Sequence, residues 1–218
     1  MSKLELQGVS FKYPRGKRMI FQNVSETFDS GKLTTVEGES GAGKSTLLTL
    51  LSGLALPTKG TLLMDGEPIR DLTLYRRNVA ATVAQANHLF EGRTVLENVI
   101  YPLLLKGADP ARAKEKALEL LSEVRLDPEL ASHFPAECSG GEQKRVAFAR
   151  AMALQNPVIL ADEPTANLDK GTSRVIADIL VDLAHEKGKL VIAVTHDLLL
   201  PELADARLYL RGGVLEHE

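Results

Sequence analysis

The segment GESGAGKST, residues 38–46, constrains the fold of this chain more than any other feature of the sequence. It matches the pattern G-x-x-x-x-G-K-[ST] and lies between the apolar stretch KLTTVE and the helical pattern TLLTLLSGL. A glycine-rich loop in that position directs backbone N–H groups toward phosphate oxygens, so the order strand, loop and helix predicts a phosphate-binding loop. The simpler alternative is a glycine-rich turn that contains a lysine by chance. We expect a nucleotide to contact the whole segment: Gly38, Glu39, Ser40, Gly41, Ala42, Gly43, Lys44, Ser45 and Thr46.

Four side chains are suited to a triphosphate and its cation. Lys44 provides a mobile positive charge for the phosphates, and the Ser45 hydroxyl can coordinate Mg²⁺. Asp162 and Glu163 end the apolar run VILADE, where two adjacent acids are costly without a cation or a proton. We predict that Asp162 binds Mg²⁺, directly or through water, and that Glu163 is the general base for an attacking water. Either acid alone could instead cap the turn that follows.

Two further polar residues follow predicted strands, Gln85 after VAATVA and His196 after LVIAVT. Each alone is more typical of a polar strand end than of a catalytic residue, but parallel strands place their carboxyl ends at the edge that holds Asp162. We predict that Gln85 is catalytic and offers its amide oxygen to Mg²⁺, and that His196 donates a hydrogen bond to the γ-phosphate or the water. Tyr13 is predicted to stack on adenine, although a single aromatic residue after a strand usually serves packing.

The apolar pattern predicts an α/β fold for the 218 residues. The runs VAATVA, VILAD, LVIAVT and RLYLRGG alternate with helical patterns and predict a parallel sheet covered on both faces. KLELQGVSF, MIFQNVSETF and the hairpin GTLLMDGEPI predict an antiparallel β unit near the N-terminus. Between about residues 90 and 155 strand signals are absent, and three helices are expected, with starts at Thr94, Asp109 and Ser139.

Composition limits the kinds of partner. A formal net charge of −3 argues against a broad nucleic-acid surface, so no nucleic acid is expected as a partner. The single cysteine, Cys138, fits a reducing compartment. No apolar run reaches the roughly 20 residues that a membrane span requires, so any membrane role would depend on a partner.

The segment CSGGEQKR poses a separate question, because Ser139, Gly140, Gly141 and Glu142 begin a second helix in the manner of an anion site. Ser139 and Glu142 have the spacing of a capping box, which is the simpler explanation. Two glycines in the first turn cost helix stability, roughly 1 kcal/mol each against alanine, unless something approaches the backbone closely. Because this helix start is expected to lie away from its own phosphate loop, we predict that it contacts the nucleotide of a second chain in a two-fold dimer.

Together, GESGAGKST, Gln85, CSGGEQKR, VILADE, NLD and His196 resemble the ATP-binding cassette (ABC) ATPases along essentially the whole chain. The resemblance implies a P-loop NTPase (RecA-like) core with an N-terminal antiparallel β subdomain and an inserted α-helical subdomain. The predicted division is about 1–88 and 157–218 for the core with the β subdomain, and about 89–156 for the helical subdomain. It also implies ATP and Mg²⁺ as cofactors, and a head-to-tail dimer or paired cassette with Asp169 near the seam.

Within that family, TVLENVIYPLLLKG, SGGEQKRVAFARAM and ADEPTANLD are similar to the lipoprotein-releasing, macrolide-exporting and cell-division group. This similarity implies a peripheral location at the cytoplasmic face of the cell membrane, through an integral-membrane permease. Because the sequence ends with the strand pair RLYLRGGVLEHE, we expect the permease to be a separate chain. We predict docking near Leu89 and Phe90, although both could simply cover the helical subdomain.

Two positions depart from the family pattern. Cys138 replaces the usual leucine, and Glu142 replaces glutamine. An acid facing a phosphate would be repelled, so we predict that the Glu142 carboxylate turns back onto its own helix. A soluble cassette of translation or DNA repair is the alternative function, although neither fused cassettes nor a coiled-coil or zinc insertion is visible. A small-molecule P-loop kinase would leave CSGGEQ unexplained.

Overall fold

The computed structural model of the chain describes residues 2–14, 16 and 18–217. Its strands are β1 (Lys3–Phe11), β2 (Phe21–Asp29), β3 (Lys32–Glu37), β4 (Lys59–Met64), β5 (Glu67–Pro68), β6 (Ala80–Val83), β7 (Val158–Asp162), β8 (Leu190–Val194), β9 (Ala206–Arg211) and β10 (Val214–His217). Its α-helices are α1 (Lys44–Leu51), α2 (Leu72–Asn78), α3 (Val95–Leu105), α4 (Pro110–Glu123), α5 (Gly140–Ala153), α6 (Lys170–His185) and α7 (Leu199–Leu203). Two short 3-10 helices span Pro128–Ser132 and Pro135–Glu137.

The larger sheet has six strands in the order β10-β9-β3-β8-β7-β6. The five strands from β9 to β6 are parallel to their neighbours, and β10 pairs antiparallel with β9. Both faces are buried, as the side chains of β8 show: Val191 and Ala193 belong to one core cluster, and Leu190, Ile192 and Val194 to the other. The prediction of a parallel sheet covered on both faces is therefore confirmed.

The smaller sheet is antiparallel, in the order β2-β1-β4-β5. Its inner face, which includes Phe11, Phe21 and Phe28, shares a core cluster with α1 and with one face of the large sheet. The predicted antiparallel unit is thus present, and it packs against the strand, loop and helix that carry the phosphate-loop pattern. At the loop itself, a Cβ atom on Gly43 would lie 2.9 Å from the Ile20 side chain, and the φ of 110° would strain any other residue, so glycine is favoured there.

Helices α3, α4 and α5 pack on one another beside the large sheet, and α5 contacts β6. Each begins where its capping residue predicts. The Thr94 hydroxyl accepts from the Glu97 N–H, the Asp109 carboxylate accepts from two N–H groups of the first turn of α4, and the Ser139 hydroxyl accepts from the Glu142 N–H. The division of the chain near residues 88 and 157 into core and helical subdomains remains a prediction.

None of the helices within residues 2–14, 16 and 18–217 combines the length and the apolar character that a membrane crossing needs.

Candidate active site

The phosphate-loop segment adopts a backbone conformation that depends on glycine. Gly38, Gly41 and Gly43 have φ angles of 152°, 78° and 110°, which side-chain-bearing residues rarely adopt. Gly43 precedes the first turn of α1, so the unpaired N–H groups of that turn and the positive end of the helix point toward the loop. The segment therefore forms a concave backbone surface suited to an anion.

The Lys44 side chain lies inside this loop. Its Nζ donates to the carbonyl oxygens of Gly38, at 2.6 Å, and of Glu39, at 3.2 Å. The residue is only 9% exposed. A buried ammonium held by two carbonyls has a third N–H available. Lys44 is thus placed to donate to a phosphate oxygen without a large rearrangement.

The side chains of Ser45 and Asp162 place two potential oxygen ligands close together. The Ser45 hydroxyl donates to Asp162 Oδ1 at 3.4 Å. Burial raises the pKa of the Asp162 carboxyl, and the nearby charge of Glu163 adds to this, while the Ser45 hydrogen bond and the charges of Lys144 and Lys44 act in the opposite direction. This carboxylate is only partly compensated, and a cation would relieve it.

The donor set fits Mg²⁺. In the described part of the chain, no group of three or more His, Cys, Asp or Glu side chains could hold a metal by itself. Mg²⁺ is usually bound by one or two protein oxygens together with phosphate oxygens and waters, so Ser45 and Asp162 suffice once a nucleotide is bound. The amide oxygen of Gln85, which lines the same cleft, would be a third ligand.

Glu163 faces His196 instead of the cation side. Glu163 Oε2 lies 2.7 Å from His196 Nδ1 and accepts from the His196 backbone N–H at 3.3 Å. Glu163 also has a φ of 45°, an unusual value for a residue with a side chain. The Glu163 N–H donates to the Val194 carbonyl at 2.9 Å, which fixes this turn against β8. The two neighbouring acids therefore have different surroundings.

One cleft of about 610 Å³ collects most of the predicted residues. It is lined by Ile20, Gly38, Glu39, Ser40, Gly41, Gly43, Lys44, Ser45, Thr46, Gln85, Glu163 and His196. Ala42 belongs to the loop without lining the cleft, and Asp162 reaches it through Ser45. Tyr13 lies beside it: its hydroxyl is 3.1 Å from Thr46 Oγ1, and its ring packs edge-on against Phe11 at 5.1 Å.

The second helix start lies outside that cleft. At the beginning of α5, Glu142 Oε2 accepts from the Ser139 backbone N–H at 2.7 Å and from the Ser139 hydroxyl at 2.8 Å. The prediction that Glu142 turns back onto its own helix is confirmed. These hydrogen bonds, the backbone one foremost, lower the pKa of the Glu142 carboxyl. Burial raises the pKa of the neighbouring Cys138 thiol, so this side chain acts as a small apolar residue.

The two glycines of this start have different surroundings. A Cβ atom on Gly141 would lie 2.5 Å from Thr172 Cγ2, in the first turn of α6, whereas one on Gly140 would meet nothing within 4 Å. The close backbone approach expected from the sequence therefore has a cause inside the chain at Gly141. At Gly140 the space remains open.

Lys144 is a residue near the site that the sequence interpretation missed. It is 3% exposed, and its Nζ donates to the carbonyls of Ala84, at 3.1 Å, and Gln85, at 2.8 Å. Burial lowers the pKa of this amine, and the Asp162 charge opposes that effect. Helical spacing could have identified it, because Lys144 shares a face with Phe148 and Ala151, both buried.

Of the two apolar residues proposed for docking, Leu89 was assigned wrongly. Leu89 is 8% exposed and belongs to the core cluster, whereas Phe90 is 44% exposed. The buried Asn98 side chain accepts from the Phe90 N–H at 2.8 Å and donates to the Phe90 carbonyl at 3.2 Å. With the Phe90 backbone held in this way, Leu89 points inward and Phe90 outward.

Comparisons with known proteins agree with this geometry. A family model described as ABC transporter matches residues 21–166. The chain is 36% identical over 215 residues to the ABC transporter ATP-binding protein YclH of Bacillus subtilis, with 98% of this chain and 95% of YclH covered.

Two solved structures are similar over most of the chain. A dimeric post-hydrolysis state of the ATP-binding cassette MJ0796, bound to ADP and Pi, superposes with a TM-score of 0.90 at 35% identity and covers 99% of this chain and 97% of that one. MJ0796 comes from Methanocaldococcus jannaschii. The structure of cbiO1 from Clostridium perfringens, described as part of the ABC transporter complex cbiONQ, gives 0.89 at 25% identity, with 98% and 86% covered.

Proposed function

The chain belongs to the ABC transporter family as an ATP-binding cassette, and from that premise we propose that it is the ATP-hydrolysing subunit of a membrane transport or transmembrane signalling complex. Two cassettes would clasp two ATP molecules between them, as a homodimer or with a paired cassette. Membership of this family, which the motifs predicted, is confirmed by the family model and by the identity to YclH. The relatives are transporter cassettes by name, so the translation or DNA-repair alternative is not favoured.

One observation carries this proposal: the cleft that contains the phosphate loop does not include the second helix start. The phosphate loop, Gln85, Glu163 and His196 line a common space, and Ser139 to Glu142 lie outside it. A helix start with an open glycine, Gly140, is suited to a phosphate supplied by another chain. The dimeric form of MJ0796 supports the same arrangement for this chain.

Each residue of the cleft would have a separate role in the reaction. Lys44 and the loop N–H groups would hold the β- and γ-phosphates, and Ser45, Asp162 and Gln85 would hold Mg²⁺, which neutralises phosphate charge when bound. Glu163 would accept a proton from the water whose oxygen attacks the γ-phosphorus, while the bond to the β-phosphate oxygen breaks. His196, 2.7 Å from Glu163, would orient that carboxylate and donate to the γ-phosphate. Tyr13 would pack against adenine.

The proposed partner is a separate integral-membrane permease, which would hold the cassette at the cytoplasmic face of the membrane. The docking surface is the Phe90 patch, which we define as Phe90, Tyr101, Arg93 and Arg150. The two rings meet edge to face at 5.2 Å, with Arg93 over Tyr101 and Arg150 over Phe90. A cytoplasmic helix with an apolar side chain beside an acidic one would fit these rings and guanidinium groups.

The decisive test of the proposed function is Glu163→Gln. The variant should bind ATP with an affinity close to that of the unsubstituted chain, because the phosphate loop is unchanged. Its ATP hydrolysis should fall by about 10²- to 10⁴-fold, since the amide cannot accept the proton. With ATP and Mg²⁺ the variant should accumulate as a dimer, measured by size-exclusion chromatography with light scattering.

A matched control is Glu202→Gln, which changes an exposed acid on α7 in the same way. It should hydrolyse ATP at the unsubstituted rate. Normal turnover by Glu163→Gln, or full hydrolysis by a chain that stays monomeric at every protein concentration, would contradict the proposal.

A further inference from the structure

Lys144 has an unusual environment for a lysine. It lies in the first half of α5 and is 3% exposed, and the negative charge that acts on it is that of Asp162. Its Nζ is held by two backbone carbonyls, those of Ala84 and Gln85, at 3.1 and 2.8 Å. Burying an ammonium is costly unless its donors are satisfied, and an ammonium can serve two carbonyls at once. The segment that it holds carries the proposed Mg²⁺ ligand Gln85.

A second cation from the same helix holds the continuation of that segment. Arg150 donates to the carbonyls of Asn87, at 2.9 Å, and His88, at 2.6 Å. His88 has a φ of 46°, so the backbone turns sharply at this point. Four carbonyls, at positions 84, 85, 87 and 88, are therefore fixed to α5 by two side chains. Segment 84–88 and α5 are joined as one unit.

We propose that Lys144 is a positioning residue. Through the backbone carbonyl of Gln85, it couples the start of α5 to the side-chain amide of Gln85. This inference rests on the proposed function, in which Ser139 faces the nucleotide of the second chain. Lys144 lies five positions after Ser139, a rise of about 7.5 Å along the helix. A shift of α5 when its start contacts the partner's phosphate is thus passed directly to Gln85 in its own cleft. Lys144 links one nucleotide site to the other.

The test compares two substitutions at this position, each made with and without Glu163→Gln. Lys144→Met keeps the aliphatic stem and removes every donor, so the part-buried hydrogen bonds to the Ala84 and Gln85 carbonyls are lost. Lys144→Gln keeps an amide nitrogen with two N–H donors and removes the charge. The measurements are ATP hydrolysis against Mg²⁺ concentration, ADP affinity by calorimetry, thermal midpoint, and ATP-induced dimerisation in the Glu163→Gln background.

For Lys144→Met we expect kcat to fall about ten- to hundredfold, the loss of a charged hydrogen bond to the site. ADP affinity without Mg²⁺ should stay within about threefold, because Lys44 and the loop N–H groups bind the phosphates. In the Glu163→Gln background, the gain in ATP affinity on adding Mg²⁺ should shrink by about tenfold, and the dimer should form at higher ATP concentrations. Lys144→Gln should recover most of kcat, to within about fivefold of the unsubstituted chain.

Lys106→Met is the matched control. Lys106 also tethers α5 through its amine, which donates to the Leu154 carbonyl and, at 2.9 Å, to Asn156 Oδ1, but at the far end of the helix. This variant should keep normal kcat and Mg²⁺ dependence.

Two results would overturn this inference without affecting the proposed function. One is a Lys144→Met variant with unchanged kcat and Mg²⁺ dependence; the other is a loss of ADP affinity and thermal stability in step with kcat, which would make Lys144 a general structural residue. If the unsubstituted chain fails to hydrolyse ATP and its Glu163→Gln form fails to dimerise, the proposed function is overturned as well.

Discussion

At the scale of single residues, the site depends on two adjacent acids with opposite surroundings. Asp162 ends β7 and faces Ser45, whereas Glu163 turns away to His196 with a φ of 45°. A left-handed conformation costs a residue with a side chain about 1–2 kcal/mol, so the fold must hold Glu163 in place by other contacts. Turns of this kind concentrate at functional sites. The sequence shows that the two acids are adjacent, but it could not predict this conformation, because the Glu163 N–H bonds to Val194 of β8, a partner 31 positions away.

The burial of Asp162 leads to a prediction in which stability and activity change in opposite directions. Asp162→Asn should raise the thermal midpoint of the nucleotide-free chain, since burial disfavours the charged carboxylate and the amide carries no charge. The same variant should hydrolyse ATP at least about tenfold more slowly, because the anionic ligand for Mg²⁺ is lost. Differential scanning fluorimetry without nucleotide and a phosphate-release assay measure the two effects.

Asp178→Asn serves as the comparison. Asp178 accepts from Arg125 at 3.0 Å and from Arg174 at 2.9 Å, so its loss should lower the midpoint slightly or leave it unchanged. A lower midpoint for Asp162→Asn would mean that its carboxylate already has sufficient partners without a cation.

At the scale of elements, the starts of the helices were the most predictable feature. Thr94, Asp109 and Ser139 cap α3, α4 and α5 as their sequence patterns indicate. Strand bounds agreed to within a residue or two, as in β6, which spans Ala80–Val83 within the predicted run VAATVA. Helix α2 was not identified, because Tyr75 is its one buried side chain among the described residues, which leaves no apolar period to detect.

The capping box at the start of α5 predicts a particular dependence of stability on pH. Hydrogen bonds from Ser139 lower the pKa of Glu142 in the folded chain, so its carboxylate stabilises the fold above the unfolded pKa, near 4.5. That contribution is lost as the pH falls through the lower, folded value. Glu142→Gln should therefore cost about 0.5–1 kcal/mol at pH 7 and progressively less below pH 4.5.

Urea unfolding at pH 7 and at pH 4 measures this difference directly. Glu115→Gln, at an exposed position of α4, controls for the loss of one negative charge from the chain. An equal effect of Glu142→Gln at both pH values would show that the ionised carboxylate is not what stabilises the helix start.

At the scale of the whole molecule, we propose partners for two surfaces: a second cassette for the start of α5, and a permease for the Phe90 patch. Residues that meet at one edge of the parallel sheet could be predicted from sequence, because the carboxyl ends of parallel strands are neighbours. The sequence could not predict which of two adjacent apolar side chains faces the solvent. Leu89 and Phe90 are adjacent and both apolar, yet only Leu89 is buried, and the Phe90 backbone is held by Asn98, eight residues beyond it.

The proposed docking at the Phe90 patch predicts which substitution abolishes permease binding. Phe90→Asp should abolish co-purification of the membrane subunit with the cassette, since it replaces an exposed ring with a charge beside the proposed partner's own acid. ATP hydrolysis by the isolated chain should change by less than about twofold, because surface substitutions usually alter stability little.

Leu118→Asp is the control, because Leu118 is exposed to a similar extent, 43%, on α4. It should leave co-purification intact. Retention of the permease by Phe90→Asp, with Leu118→Asp also silent, would place the docking surface elsewhere on the chain.

The contact between Gly141 and Thr172 has a consequence for how such sequences can diverge. A Cβ atom at position 141 would lie 2.5 Å from the threonine methyl, so this position can gain a side chain only if the Thr172 side chain shifts or becomes smaller. A relative in which a larger residue replaces Gly141 should also have a smaller residue at position 172, because the two side chains would otherwise clash. Positions 141 and 172 should therefore covary, which ties the histories of two segments about thirty residues apart.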